Sequence, residues 1–160
     1  MMIRYDQGNH RFNYRVVGVI VHEGSVLLHQ GEGDNFWVFP GGRAELGESA
    51  EQTLRREMKE ELEIEVEVVR LLWFVENFFT YEDKQYHEIA LYFLMRLPAN
   101  CQYLVEPGPF EGEDGGVKLI FQWFPLEPEV LSSLPLLPSF LQTSLQALPE
   151  SVQHIVHYDE

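Results

Sequence analysis

Three glutamates fall within five residues, Glu57, Glu60 and Glu61, with Arg56 directly before them. On a helix turning ~100° per residue, with Ala50 set at 0°, Leu54 falls near ~40° and Met58 near ~80°. The same geometry puts Glu61 at about 20°, Glu57 at about 340° and Glu60 at about 280°. Glu57 and Glu61 therefore border the apolar stripe of Ala50, Leu54, Met58 and Leu62 instead of opposing it. Carboxylates four residues apart on a helix repel even in water. Burial makes this far costlier unless they protonate or meet a cation. Oxygen donors with no Cys or His nearby suit Mg²⁺, with Mn²⁺ as the alternative, better than Zn²⁺. The competing reading is that Arg55 to Glu61 is a solvated, ion-paired helix face, a common arrangement.

The surrounding elements must place these acids. Tyr14 to His22 and Ser25 to Gln30 are β-branched and apolar around Glu23-Gly24, which predicts a hairpin. Phe36 to Phe39 predicts a short strand ended by Pro40-Gly41-Gly42. Ser49 and Gln52 form a capping-box pattern that starts the acidic helix. Ile64 to Phe79, Tyr86 to Met95 and Val117 to Phe124 read as further strands, the second apolar on both faces. Residues 98 to 116, rich in Pro, Gly and acids, read as a long loop. The Pro-containing tail predicts short helices, the better one from Ser139 to Ala147. Strands and helices mixed around one sheet indicate an α/β or α+β sandwich, with residues 1–160 as a single domain.

A chain of 160 residues that is 45% hydrophobic can bury a core, which excludes a disordered segment. Eleven Lys and Arg against 26 Asp and Glu leave a net charge of −15. That charge disfavours general binding to nucleic-acid backbones and docking on anionic membranes. The single Cys101 permits no internal disulfide, and no apolar run is long enough to span a bilayer. A cytoplasmic protein is expected.

The segment from Gly42 to Ile64 resembles the signature box of the Nudix hydrolases. Gly42, Glu48, Arg56, Glu57, Met58, Glu60, Glu61 and Ile64 stand at the box spacing, and Glu63 replaces the family's second glycine. A Glu in the left-handed conformation expected there would cost on the order of 1 kcal/mol. The approach from Trp37 to Gly42 and the Phe121 to Leu126 segment are also similar to that family. The resemblance implies a Nudix-type α/β/α sandwich with a mixed sheet. It also implies Mg²⁺-dependent hydrolysis of the diphosphate in a small-molecule nucleoside diphosphate linked to a group X.

The resemblance further implies that Glu57, Glu60, Glu61 and the Gly41 carbonyl hold the cation. Arg56 would orient a glutamate, and Glu48 would brace the corner before the helix. The general base is not fixed by the box. Glu111 and Glu113 in the acidic loop are the first candidates, against a reading as plain solvated acids. Glu88 is a second, because a charge in an apolar strand needs a reason. Arg15 and Arg43 are candidate phosphate contacts. Tyr81 stands where relatives that cleave dinucleoside polyphosphates often carry a tyrosine. Trp37, Phe78, Phe79, Tyr81 and Tyr86 could stack on a base. The absence of proline between Ile64 and Pro98 argues against the ADP-ribose subclass. His154 and His157 would face opposite sides of a strand and make no metal pair. Two other readings stay open: a non-catalytic nucleotide-sensing module of the same fold, and an acidic protein-interaction domain. A homodimer is compatible with either.

Overall fold

The computed structural model describes residues 1–159. Nine strands are found among the described residues: β1 (Arg4–Gln7), β2 (His10–His22), β3 (Ser25–Gly31), β4 (Gly41–Arg43), β5 (Glu67–Tyr81), β6 (Lys84–Arg96), β7 (Phe110–Asp114), β8 (Val117–Pro125) and β9 (Gln153–Tyr158). The helices are α1 (Ala50–Leu62), α2 (Pro128–Ser133) and α3 (Leu141–Ser144). The sheet runs β7-β8-β3-β2-β6-β5-β9, with β1 and β4 also paired to β2. It is mixed, because β2 with β6 and β5 with β9 are parallel while the other pairs are antiparallel.

Alternation along β2 divides the core in two. Val16 and Ile20 meet Leu54, Met58 and Leu62 of α1 on one face. Val17 and Val19 lie on the other face with Ala90, Tyr92 and Trp73, beneath Leu131 of α2 and Leu141 of α3. Helices on both faces make an α/β/α sandwich. Each fully buried Leu of α1 contributes roughly 1.5–3 kcal/mol, so the stripe holds the acidic helix rigidly on the sheet.

The α1 N-terminus forms the expected capping box: Ser49 N–H donates to Gln52 Oε1 (2.8 Å), and Gln52 N–H donates to Ser49 Oγ (3.2 Å). At its end Glu63 takes the left-handed conformation (φ 57°), with its N–H donating to the Lys59 carbonyl.

Several element expectations need correction. Phe36 to Phe39 forms no strand, and only Trp37 and Val38 make single bridges, to Leu136 and His29. The strand forms one step later, at Gly41–Arg43, where the absence of a side chain on Gly41 lets the backbone lie against β2 and the absence of one on Gly42 leaves room for the Glu57 carboxylate. The loop from 98 to 116 contains β7, which pairs with β8. The tail returns as β9 beside β5, anchored where Ser139 hydrogen-bonds His157 and Asp159. Strand β6 is less buried than a doubly covered strand, for Glu88, Ala90 and Tyr92 are buried while Ile89, Leu91 and Phe93 are half-buried.

Candidate active site

The last two turns of α1 carry the acids. Glu57 and Glu61 are both buried, and the Glu57 carboxylate lies over Gly42 of β4. A third carboxylate arrives from β7: oxygens of Glu57, Glu61 and Asp114 all lie within 4.8 Å of one another. The side chains of β7 alternate, so Phe110, Gly112 and Asp114 share one face and Glu111 and Glu113 the other. Phe110 belongs to the α1-side core, which turns Asp114 toward the helix. Glu111 and Glu113 are exposed, and Glu111 pairs with Lys118 at 3.4 Å. Asp114 is thus the acid that sequence reasoning passed over. The signal was present in the alternation of Phe110, Gly112 and Asp114, hidden by the segment's loop-like composition.

Arg56 organises the rim. Its Nε donates to Glu48 Oε2 (2.6 Å) and its Nη2 to Glu48 Oε1 (3.0 Å), a two-point clamp. Nη1 donates to Glu57 Oε1 (2.9 Å) and to Glu60 Oε2 (3.3 Å), and Nη2 also reaches the Arg43 carbonyl. Glu48 further accepts from Glu45 N–H and the Thr53 hydroxyl. Glu60 is half exposed (53% of its side chain) at the outer edge of the group. A cleft of ≈ 1010 Å³ opens beside Glu60, Glu61 and Asp114 and is also bordered by Glu32, Glu111, Glu113 and Lys118.

The electrostatics of the acids differ sharply. Hydrogen bonding from Arg56 holds Glu48 down at about 2. Burial pushes Glu57 up, with Arg56 opposing. Glu61 is pushed up to about 9, first by burial and then by the charges of Glu57 and Asp114. Both Glu61 oxygens are shut from solvent and have no hydrogen-bond partner among the described residues. Orphaned buried carboxylate oxygens beside two other carboxylates are a donor set that fits a hard divalent cation.

The basic candidates and the aromatic candidates other than Phe78 sit on the opposite sheet face, whereas Phe78 is in the row of His87 and Phe12, on the α1 side. Arg15 and Arg43 are direct cross-strand partners on β2 and β4. Burial, together with the guanidinium groups of Arg11, Arg4 and Arg15, lowers the Arg43 pKa. Tyr81 meets Phe36 and Tyr86 edge-on, and Tyr86 stacks on Phe79 with centroids 4.7 Å apart. Phe78 stacks instead on His87 and Tyr158, and Trp37 packs on Phe124. His154 bonds Glu76 while His157 bonds Ser139, and the two histidines share no partner. Glu88, bonded by Asn13, lies on the Ala90–Tyr92 face, away from α1.

The NUDIX domain family model matches residues 12–139, and the chain belongs to that family. RNA pyrophosphohydrolases of Haemophilus influenzae are 37% identical over 68 residues, which cover 41% of this chain and 35% of theirs. That of Pseudoalteromonas atlantica is 35% identical over 68 residues, 41% of this chain and 39% of its own. The match therefore spans well under half the length of these curated relatives. Among solved structures, a MutT NUDIX hydrolase from Burkholderia pseudomallei is 25% identical, covering 78% of this chain and 87% of that one, with a TM-score of 0.55. An ADP-ribose pyrophosphatase from Streptococcus suis 89-1591 is 19% identical, covering 91% and 98%, with a TM-score of 0.58, and shares the fold.

Proposed function

We propose that this chain hydrolyses the diphosphate linkage of a nucleoside diphosphate joined to a further group, with Mg²⁺ as the resident ion and Mn²⁺ as a substitute. The observation that carries this reading is the unpartnered Glu61 carboxylate, buried beside Glu57 and Asp114. These three residues would hold the ion, with Glu60 at the rim and the Gly41 carbonyl as a further donor. A bound divalent cation supplies charge neutralisation to the diphosphate oxygens and lowers the pKa of water.

The chain's own residues do the rest. Arg56 fixes the Glu57 oxygen by a charge-assisted bond, and Glu48 fixes Arg56. Arg15 and Arg43 offer guanidinium groups to phosphate oxygens, and the Tyr81–Tyr86 wall offers a stacking surface. Position favours Asp114 over Glu111 and Glu113 for work at the reacting phosphorus: all three border the cleft, but only Asp114 has a carboxylate oxygen within 4.8 Å of those of Glu57 and Glu61. RNA bearing a terminal diphosphate is a second substrate reading, suggested by the relatives' names. The −15 charge argues against long backbone contacts.

The test is a hydrolysis screen over nucleotide sugars, dinucleoside polyphosphates, nucleoside triphosphates and short 5′-triphosphorylated RNA, resolved by ion-exchange chromatography. Cleavage of one class by the wild type, abolished in Glu61→Gln, supports the reading. Wild-type inertness with a nucleotide-induced rise in melting temperature favours a sensing module. Inertness with no shift from Mg²⁺ or nucleotide favours an interaction domain.

A further inference from the structure

The sheet face away from α1 holds a polar row that the hydrolytic reading leaves unused. Asn13 of β2, Glu88 of β6 and Asn77 of β5 are direct neighbours in register across three strands. All three are buried, at 1%, 7% and 4% exposure. Asn13 Nδ2 donates to Glu88 Oε2 at 2.8 Å. Asn13 Oδ1 and Asn77 Oδ1 are shut from solvent and accept no hydrogen bond among the described residues. The orientation of Asn13 follows from chemistry, since its carbonyl oxygen would repel the carboxylate if the amide were reversed. Buried acceptors left unpaired are destabilising, so two of them in one row ask for a partner.

The setting points to a ligand. One row outward on the same face, Arg11 lies over the Tyr86 ring (5.7 Å), and Tyr86 stacks on Phe79. One row inward, Arg15 is followed on β2 by Val17 and faces Arg43 on β4. Arg11, Arg15 and Arg43 are three of only eleven cationic side chains in a chain of charge −15. Arg43 adjoins Gly42, and the Glu57 carboxylate rests against Gly42 from the other face. A flat base at the polar row would thus have its phosphates led past two guanidinium groups toward the acids.

We propose that Asn13, Glu88 and Asn77 read the edge of a nucleobase, and that the base is of the guanine type. This rests on the nucleotide reading above and names its specificity. The row's unengaged acceptors are the second oxygen of Glu88 and the carbonyl oxygens of Asn13 and Asn77, against one amide nitrogen, that of Asn77, with no partner among the described residues. Guanine presents two parallel N–H donors on its pairing edge, one on N1 and one on the 2-amino group, and the second amino N–H points toward the sugar edge. Adenine, cytosine and hypoxanthine present fewer at that edge, and uracil presents one. Arg15, half-buried one row inward on the same strand, stands between the row and Arg43.

Calorimetric titration of the full chain with GDP, IDP, ADP and UDP in the presence of Mg²⁺ tests this. GDP binds tightest, and IDP, which lacks the 2-amino group, binds about tenfold or more weakly. Glu88→Gln brings GDP down to the IDP affinity and leaves IDP and UDP within about twofold. The base comparison on wild type needs no variant, so a misfolded Glu88→Gln protein does not remove the test. Equal affinities for the four, no binding of any, or equal weakening of all four in a folded Glu88→Gln protein overturns the proposal. Turnover of the matching nucleotide sugars is read separately. Guanine-selective binding without turnover keeps the row and removes the hydrolase reading, whereas turnover without base preference does the reverse.

Discussion

Gly42 and Glu57 compete for one space: a Cβ on Gly42 would stand 2.3 Å from the Glu57 carboxyl carbon. The strand that pairs with β2 therefore supplies the floor of the acidic group by leaving out a side chain. Gly42→Ala should displace the carboxylate and break its bond from Arg56. The expected cost is about 1–3 kcal/mol of stability from overpacking, seen in urea unfolding, together with a large loss of turnover. A variant with wild-type stability and rate would show that Glu57 needs no such floor.

Glu61 carries the opposite sign from an ordinary carboxylate. Its folded pKa is raised from 4.5 to about 9, so its contribution to stability is full below 4.5 and is lost as pH rises toward 9. Without divalent ions, Glu61→Gln should melt at or above the wild-type temperature, and the gap should widen between pH 6 and pH 9. The variant should also lose the Mg²⁺-induced rise in melting temperature, which follows from binding to the folded state alone. Turnover should fall by about 10²-fold or more. An unchanged Mg²⁺ response in the variant would take Glu61 out of the ion site.

Asp114 and Glu113 are adjacent but face opposite ways. Asp114→Asn should weaken Mn²⁺ binding, measured by electron paramagnetic resonance, by about tenfold or more, and Glu113→Gln should leave it unchanged. Equal effects from both would mean that the alternation of β7 does not set the ion site.

Glu48 behaves conventionally. Arg56 holds it at about 2 against an ordinary 4.5, so the stability it confers is present above 4.5 and is lost as pH falls toward 2. Acid unfolding of Glu48→Gln should be flatter across that window than that of wild type, and the variant should be less stable at pH 7. Parallel acid-unfolding curves would show that the Arg56 clamp adds nothing to the fold.

Much of this site could be read from residue order because helices report their faces. The angular position of Glu57 and Glu61 beside Leu54 and Met58 already implied burial, and Ser49 with Gln52 marked where the helix begins. Glu60, further round the helix, lies at the exposed rim as its angle implies. The strands were harder. Gly41 and Gly42 resemble a terminator because Pro40 precedes them, yet pairing with β2 overrode local preference. Asp114 was hidden because its role depends on which side of β7 meets α1, and that is settled by Phe110 seated in a distant core. Glu63 illustrates the reverse case. The left-handed cap formed despite its cost, so Glu63→Gly should stabilise the chain by up to about 1 kcal/mol, measured by thermal melting.

Asn13 and Glu88 touch although they stand 75 positions apart in the chain, through the parallel pairing of β2 with β6. Parallel neighbours cannot be joined by a tight turn, so this contact waits on the slowest kind of loop closure. Each of its two strands is useless for discrimination until the other arrives. A nascent chain released before residue 88 could form the β2–β3 hairpin and α1, yet would have no means of telling one base from another. Selectivity, on this topology, cannot precede the pairing of two strands far apart in the chain.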